Sequence, residues 1–338
     1  MQGSMRYRVL GGTGMTVSAY CLGAMSFGAW GNPDHDKSIR VIHEALDSGI
    51  NFIDTADVYS YGESEEIVGK ALKGRRDEVI LATKANKQMG EGLNRSGNSR
   101  RWIAQAVEAS LRRLDTDYID LYQMHRPDPA TDMEETLSAL TDLVSQGKIR
   151  AFGSSTYPAD LIAEAQWVAE RRGMGRFRCE APPYSLLVRG IERSVLPACQ
   201  RYGMGVVVWF PLANGWLEGS NRPPHAKPSA RGYQDKVESV REFARLAEEQ
   251  GVSLAHLAMA FTVAHPAVTA AIIEVHTVEE LRETVAGASL ELDDATLDRI
   301  DEIVEPGRDV NSADAGWDPP AIAEATVRRR PNGERAAA

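Results

Sequence analysis

Four side chains of different chemistry stand where short apolar runs end. Asp54 follows Ile50 to Ile53, Lys84 closes Leu81-Ala82-Thr83, His125 closes Leu121 to Met124, and Tyr59 lies in the polar stretch behind Asp54. A carboxylate, an ammonium, an imidazole and a phenol make sense together as a site that gives a proton to an oxygen. A free tyrosine titrates at about 10, and a neighbouring cation favours its phenolate, so Lys84 is expected to bring the Tyr59 phenol closer to working pH. Asp54 would neutralise and orient Lys84. His125 would hydrogen-bond a substrate oxygen and hold it within reach of Tyr59. Singly, each residue has an ordinary explanation: a strand-end lysine snorkels, an aspartate before threonine caps, a histidine before Arg-Pro faces solvent. The four together, at the ends of neighbouring strands, favour chemistry.

The elements that must carry these residues alternate. Apolar runs at Cys21 to Gly23, Phe52-Ile53, Val79 to Ala82, Ile119 to Tyr122, Ala151 to Gly153, Arg178 to Glu180, Val206 to Trp209 and Thr269 to Ile273 read as strands, with helical patterns between them. Strands in such regular alternation with helices predict an α/β fold, a (β/α)8 barrel, with an open doubly wound sheet as the runner-up. In either, the C-terminal ends of the strands are the functional ends, because the loops there vary without touching the core. Cys21 is expected at that mouth with Asp54, Lys84 and His125. Tyr7 to Leu10 and Val17 to Tyr20 flank Gly11-Gly12-Thr13-Gly14 and predict an N-terminal β-hairpin. As a phosphate loop that turn lacks a buried strand before it and a long helix directly after it. Gly219 to Tyr233, with Pro223, Pro224 and Pro228, is the long irregular insertion, expected to lie over the site and to be poorly ordered. One barrel domain is expected over 1–310, with a C-terminal loop and tail over 311–338.

Composition narrows the function classes. The chain has 338 residues, 43% apolar and 25% charged, with a net charge of -10, enough for one large core and too acidic for a nucleic-acid or anionic-membrane surface. Cys21, Cys179 and Cys199 are too scattered for a disulfide framework or a metal site, and no metal is expected. No leader or membrane span is evident, so a soluble cytoplasmic protein is expected.

At the level of motifs the chain resembles the aldo-keto reductases. Phe52-Ile53-Asp54-Thr55-Ala56 through Tyr59, with Gly62-Glu63-Ser64-Glu65 and Gly69-Lys70-Ala71-Leu72, looks like that family's first signature. Leu81-Ala82-Thr83-Lys84 looks like the second, Tyr118 to His125 the third, and Gly147 to Gly153 the segment leading to the nicotinamide site. The likeness covers nearly the whole chain. It implies a barrel whose floor is plugged by the hairpin, a catalytic tetrad of Asp54, Tyr59, Lys84 and His125, and hydride transfer from NADPH to a small-molecule carbonyl. It also implies cofactor contacts from Ser155, Thr156, Trp209, Leu212, His276, Glu280 and Glu283.

Departures from the family pattern gather at the cofactor positions. Thr156 stands for the usual asparagine, Ala181 for a glutamine that holds the nicotinamide amide, and Phe210 for a small serine near the pyrophosphate. Glu274 and His276 stand where a glycine and a basic or hydroxyl residue greet the 2′-phosphate, and Glu280 replaces a frequent glutamine. Carboxylates there raise the cost of admitting a phosphate dianion, which leaves NADH, or no nicotinamide at all, as alternatives to NADPH. Three readings follow: a carbonyl reductase, ranked first; a redox-neutral dehydratase, epimerase or cyclase using the same acid-base groups; and a non-catalytic partner subunit. Phe27, Trp30, Tyr61, Trp102 and Trp216 fit either an aromatic pocket wall, suited to a polycyclic substrate, or plugs beneath the loops.

Overall fold

A computed structural model of the chain describes residues 5–219 and 232–335. The expectation for Gly219 to Tyr233 therefore lies almost wholly outside the described residues. The hairpin is β1 (Tyr7–Val9) and β2 (Thr16–Ser18), antiparallel with Tyr7 opposite Ser18. The barrel strands are β3 (Tyr20–Gly23), β4 (Phe52–Asp54), β5 (Ile80–Ala85), β6 (Ile119–Met124), β7 (Ile149–Ser155), β8 (Cys179–Ala181), β9 (Gly205–Val208) and β10 (Ala270–Ile273). All neighbours pair in parallel, and β10 pairs with β3 to close the barrel. Each strand coincides with a predicted apolar run. Tyr20, expected in the hairpin, opens β3.

Helices α1 (His35–Asp47), α2 (Glu63–Ala71), α3 (Arg100–Leu114), α4 (Met133–Ser145), α5 (Ala159–Arg172) and α6 (Val195–Tyr202) follow successive strands, then α7 (Tyr233–Glu249), α8 (Leu254–Ala264), α9 (Val278–Ala286) and α10 (Asp294–Ile303). In α3 the inward stripe Trp102, Ile103, Ala106, Val107, Ser110 and Leu114 has helical spacing, and the Ser99 hydroxyl caps its start by accepting from the Trp102 N–H. The sequence patterns did not mark α10, although Asp293 caps it.

Inside the barrel the two-residue period of a strand decides what faces the axis. One residue from each strand forms a sealed apolar layer: Cys21, Phe52, Ala82, Leu121, Ala151, Cys179, Val207 and Ala270, closed from below by Leu10 and Val17 of the hairpin segment. Cys21 is thus part of the floor of the barrel and not of its mouth, a correction to the sequence expectation. Packing here leaves little room. A Cβ on Gly153 would stand 2.6 Å from the Cys179 carbonyl oxygen, so Gly153→Ala should lower stability by about 1–3 kcal/mol, measured by urea denaturation.

Candidate active site

The next position in the inward register brings polar groups above that layer. Asp54 on β4, Lys84 on β5 and Gln123 on β6 each stand two residues beyond Phe52, Ala82 and Leu121. Lys84 and Asp54 are each only 2% exposed. The Lys84 ammonium donates to Asp54 Oδ1 and to the Thr55 carbonyl at 3.0 Å, and reaches the Tyr59 hydroxyl at 3.5 Å. Gln123 Nε2 donates to the other Asp54 oxygen at 3.3 Å. The ammonium thus has three acceptors for its three protons.

Tyr59 is held by a tight turn. Ser60 and Tyr61 have φ of 46 and 55°, in the left-handed region that non-glycine residues adopt reluctantly. The Ser60 hydroxyl anchors the turn by donating to the Phe27 carbonyl and accepting from the Trp30 N–H, both at 3.0 Å. The half-buried Tyr59 ring packs edge-on against His125, with centroids 5.8 Å apart, and lies 6.2 Å from the Trp30 ring. His125 follows β6 and is tied by its N–H to the Ala85 carbonyl at 2.9 Å. Its Nδ1 is sealed without a partner among the described residues, so the cleft is reached through Nε2.

Burial dominates the electrostatics. It pushes the Tyr59 phenol above its ordinary value, and the pull of Lys84 in the other direction is smaller. The expectation that Lys84 would acidify Tyr59 toward working pH is therefore reversed by desolvation. Burial also works against the Lys84 charge, but Asp54 and Tyr59 outweigh it and hold the ammonium above its usual value. His125 is driven well below the usual histidine range by burial, then by Lys84, Arg126 and Lys87, and so is neutral.

Asp54, Tyr59, Lys84 and His125 line a single cleft of about 700 Å³ that also includes Ser155, Trp209, Leu212, His276, Glu280 and Glu283. Thr156 lies outside that lining; its backbone φ is 61° and its N–H donates to the Ala181 carbonyl at 3.2 Å. The same carbonyl accepts from the Ser155 hydroxyl and from Trp209 Nε1, each at 2.9 Å. Ala181 thus organises the neighbourhood through its backbone, where the family pattern has a side chain.

Sequence reasoning missed Gln123, whose amide steadies Asp54, and two further contributors. Arg126, beside His125, lines the cleft and carries its guanidinium 5.7 Å from the Trp209 ring. Gly316 packs against Trp209, since a Cβ there would come within 2.8 Å of the indole; only its glycine, in a left-handed turn, hinted at this. Of the five aromatics weighed as a pocket wall, none lines the cleft: Phe27 and Trp102 are buried in the core, and Trp30 packs on Tyr59 and Tyr61. Among the described residues no group of His, Cys, Asp and Glu is placed to hold a metal, and no helix is long and apolar enough to cross a membrane.

Beneath the Ser154 to Tyr157 turn, fully buried Glu180 accepts from the Ser154 hydroxyl at 2.5 Å and from the Tyr157 N–H at 3.0 Å. Burial pushes it from 4.5 up to about 7, against those hydrogen bonds. Between these values the unfolded chain releases the proton and the folded chain keeps it. Glu180 therefore stabilises fully below about pH 4.5, and stability falls by on the order of 3 kcal/mol as pH rises to about 7. Urea denaturation across this range should show the slope, and Glu180→Gln should flatten it.

A family model described as the aldo/keto reductase family matches residues 19–305. The chain is 39% identical to the uncharacterized oxidoreductase YrpG of Bacillus subtilis, over 88% of this chain and 96% of the relative. It is 34% identical to versiconal hemiacetal acetate reductase of Aspergillus parasiticus, over 89% and 97% of the two chains. A probable voltage-gated potassium channel subunit beta of Oryza sativa is also 34% identical, over 89% of this chain and 97% of its own. The chain belongs to the aldo/keto reductase family and is a carbonyl-reducing oxidoreductase.

Proposed function

We propose that the chain reduces an aldehyde or ketone with a nicotinamide dinucleotide, Tyr59 giving the proton to the carbonyl oxygen. The observation that carries this reading is the Lys84 ammonium, which bridges Asp54 and the Tyr59 hydroxyl at the wall of a cleft shared with neutral His125. The dinucleotide, when bound, supplies the hydride that reaches the carbonyl carbon. His125 donates from Nε2 to the carbonyl oxygen and fixes it beside Tyr59, and Lys84 stabilises the phenolate left behind.

The residues at this end fit a nicotinamide. The Ser155 hydroxyl spends its proton on the Ala181 carbonyl and meets the Thr156 hydroxyl at 3.4 Å, which leaves a lone pair for an amide N–H. Trp209, pinned through Nε1, offers a ring to stack against. NADPH is the dinucleotide that the resemblance implies, and the choice between it and NADH turns on the far end of the cleft.

Relatives named as reductases favour reduction over the redox-neutral alternative. The test is carbonyl-dependent loss of the reduced-nicotinamide absorbance across a panel of aldehydes and ketones, with the alcohol as product. Conversion of these compounds without any dinucleotide, and no oxidation of NADH or NADPH by any of them, would overturn the proposal.

A further inference from the structure

With the reacting ring placed beside Tyr59 and His125, the rest of an extended dinucleotide must run along the cleft to its other end, at the start of α9. That end is acidic. Glu218, Glu274, Glu280 and Glu283 all line it, with His276 between them.

A helix N-terminus is ordinarily a place for a phosphate, because its N–H groups point outward and the dipole favours negative charge. Here the chain supplies its own anion. Glu280 Oε2 accepts from the His276 N–H at 2.7 Å, while the hydroxyl of the N-cap Thr277 accepts from the Glu280 N–H at 3.1 Å. The guanidinium of α9 is turned to another task, since Arg282 forks onto Glu44 of α1 at 2.8 and 3.1 Å.

From this arrangement we infer that the cleft selects NADH over NADPH, with Glu274 and Glu280 as the residues that reject the 2′-phosphate. The inference rests on the nicotinamide reading of the cleft. A phosphate dianion would meet several carboxylates at a helix end whose outward N–H groups are partly used. A ribose hydroxyl would meet the same carboxylates as acceptors, which is how an acidic residue recognises the unphosphorylated ribose in other dinucleotide sites. These side chains are exposed and solvent weakens their repulsion, so the expected preference is about tenfold or more rather than absolute.

The test is equilibrium binding by isothermal titration calorimetry with NAD+, NADP+, ADP-ribose and 2′-phospho-ADP-ribose. NAD+ should bind about tenfold or more tightly than NADP+, and the ADP-ribose pair should show the same order without any nicotinamide. The double substitution Glu274→Gln and Glu280→Gln keeps an acceptor for the His276 N–H while removing both charges. It should tighten NADP+ by about tenfold and weaken NAD+ by about a few-fold, since an amide oxygen is a poorer acceptor for the ribose hydroxyl than a carboxylate. NADP+ binding as tightly as NAD+ to the unaltered chain, or more tightly, would overturn the inference and leave the nicotinamide reading standing. Binding of none of the four would overturn the nicotinamide reading itself, and this inference with it.

Discussion

Replacing Tyr59 by phenylalanine should lower turnover in carbonyl reduction by about 10²–10⁴-fold, the usual cost of removing a positioned acid. Stability should barely change. The phenol oxygen has only a long contact with Lys84, and the ring contacts with His125 and Trp30 survive the substitution. Steady-state kinetics with unfolding curves check both halves. The pH profile carries a further sign. Reduction uses the protonated phenol, and burial holds Tyr59 above its ordinary value, so reduction should persist through neutral pH and fall only on an alkaline limb. Oxidation of the alcohol, which needs the phenolate, should rise along that limb.

Lys84→Met should cost stability and activity together. Removing one member of a buried ion pair typically destabilises by about 3–5 kcal/mol, and here it leaves Asp54 2% exposed with only the Gln123 amide at its carboxylate. Adding Asp54→Asn to Lys84→Met should recover much of the stability, since no buried charge then lacks a partner. Turnover should stay low in both variants. The alkaline limb of reduction should move to higher pH, because Tyr59 loses the cation that pulls its pKa down. Equal recovery of stability and turnover in the double variant would make the pair purely structural.

Much of the fold was legible because buried strands and amphipathic helices leave opposite periodicities in a sequence. Seven of the eight barrel strands could be placed from short, largely apolar runs, and β8, at Arg178-Cys179-Glu180, from its place in the alternation. The polar residues that follow Ile53, Thr83 and Met124 mark one end of the barrel in the sequence itself. Less legible was how far inward each side chain lies. Cys21 and Asp54 both belong to strands at the mouth, yet the two-residue register puts Cys21 in the floor layer and Asp54 above it.

The direction of the Tyr59 shift was also out of reach, since a neighbouring charge can be read from sequence while the desolvation opposing it depends on three-dimensional packing. Partners far apart in sequence were invisible for the same reason. Beyond the bare presence of a glycine, nothing local predicts that Gly316 packs on Trp209, or that the Ala181 backbone carbonyl gathers Ser155, Thr156 and Trp209. The acidic residues of α9 were readable one by one. That the Glu280 carboxylate turns back onto the His276 N–H while the Thr277 hydroxyl takes the Glu280 N–H required the fold.

The most direct test of the reductase account is isotope transfer. The chain should be incubated with an aldehyde and NADH carrying deuterium at nicotinamide C4, in ordinary water, using each C4 stereoisomer in turn. The account predicts an alcohol with deuterium on its carbinol carbon from one stereoisomer only, at a rate lowered about 10²–10⁴-fold by Tyr59→Phe. An alcohol whose carbinol hydrogen comes from solvent with both stereoisomers, or transfer at an unchanged rate in the Tyr59 variant, would contradict it.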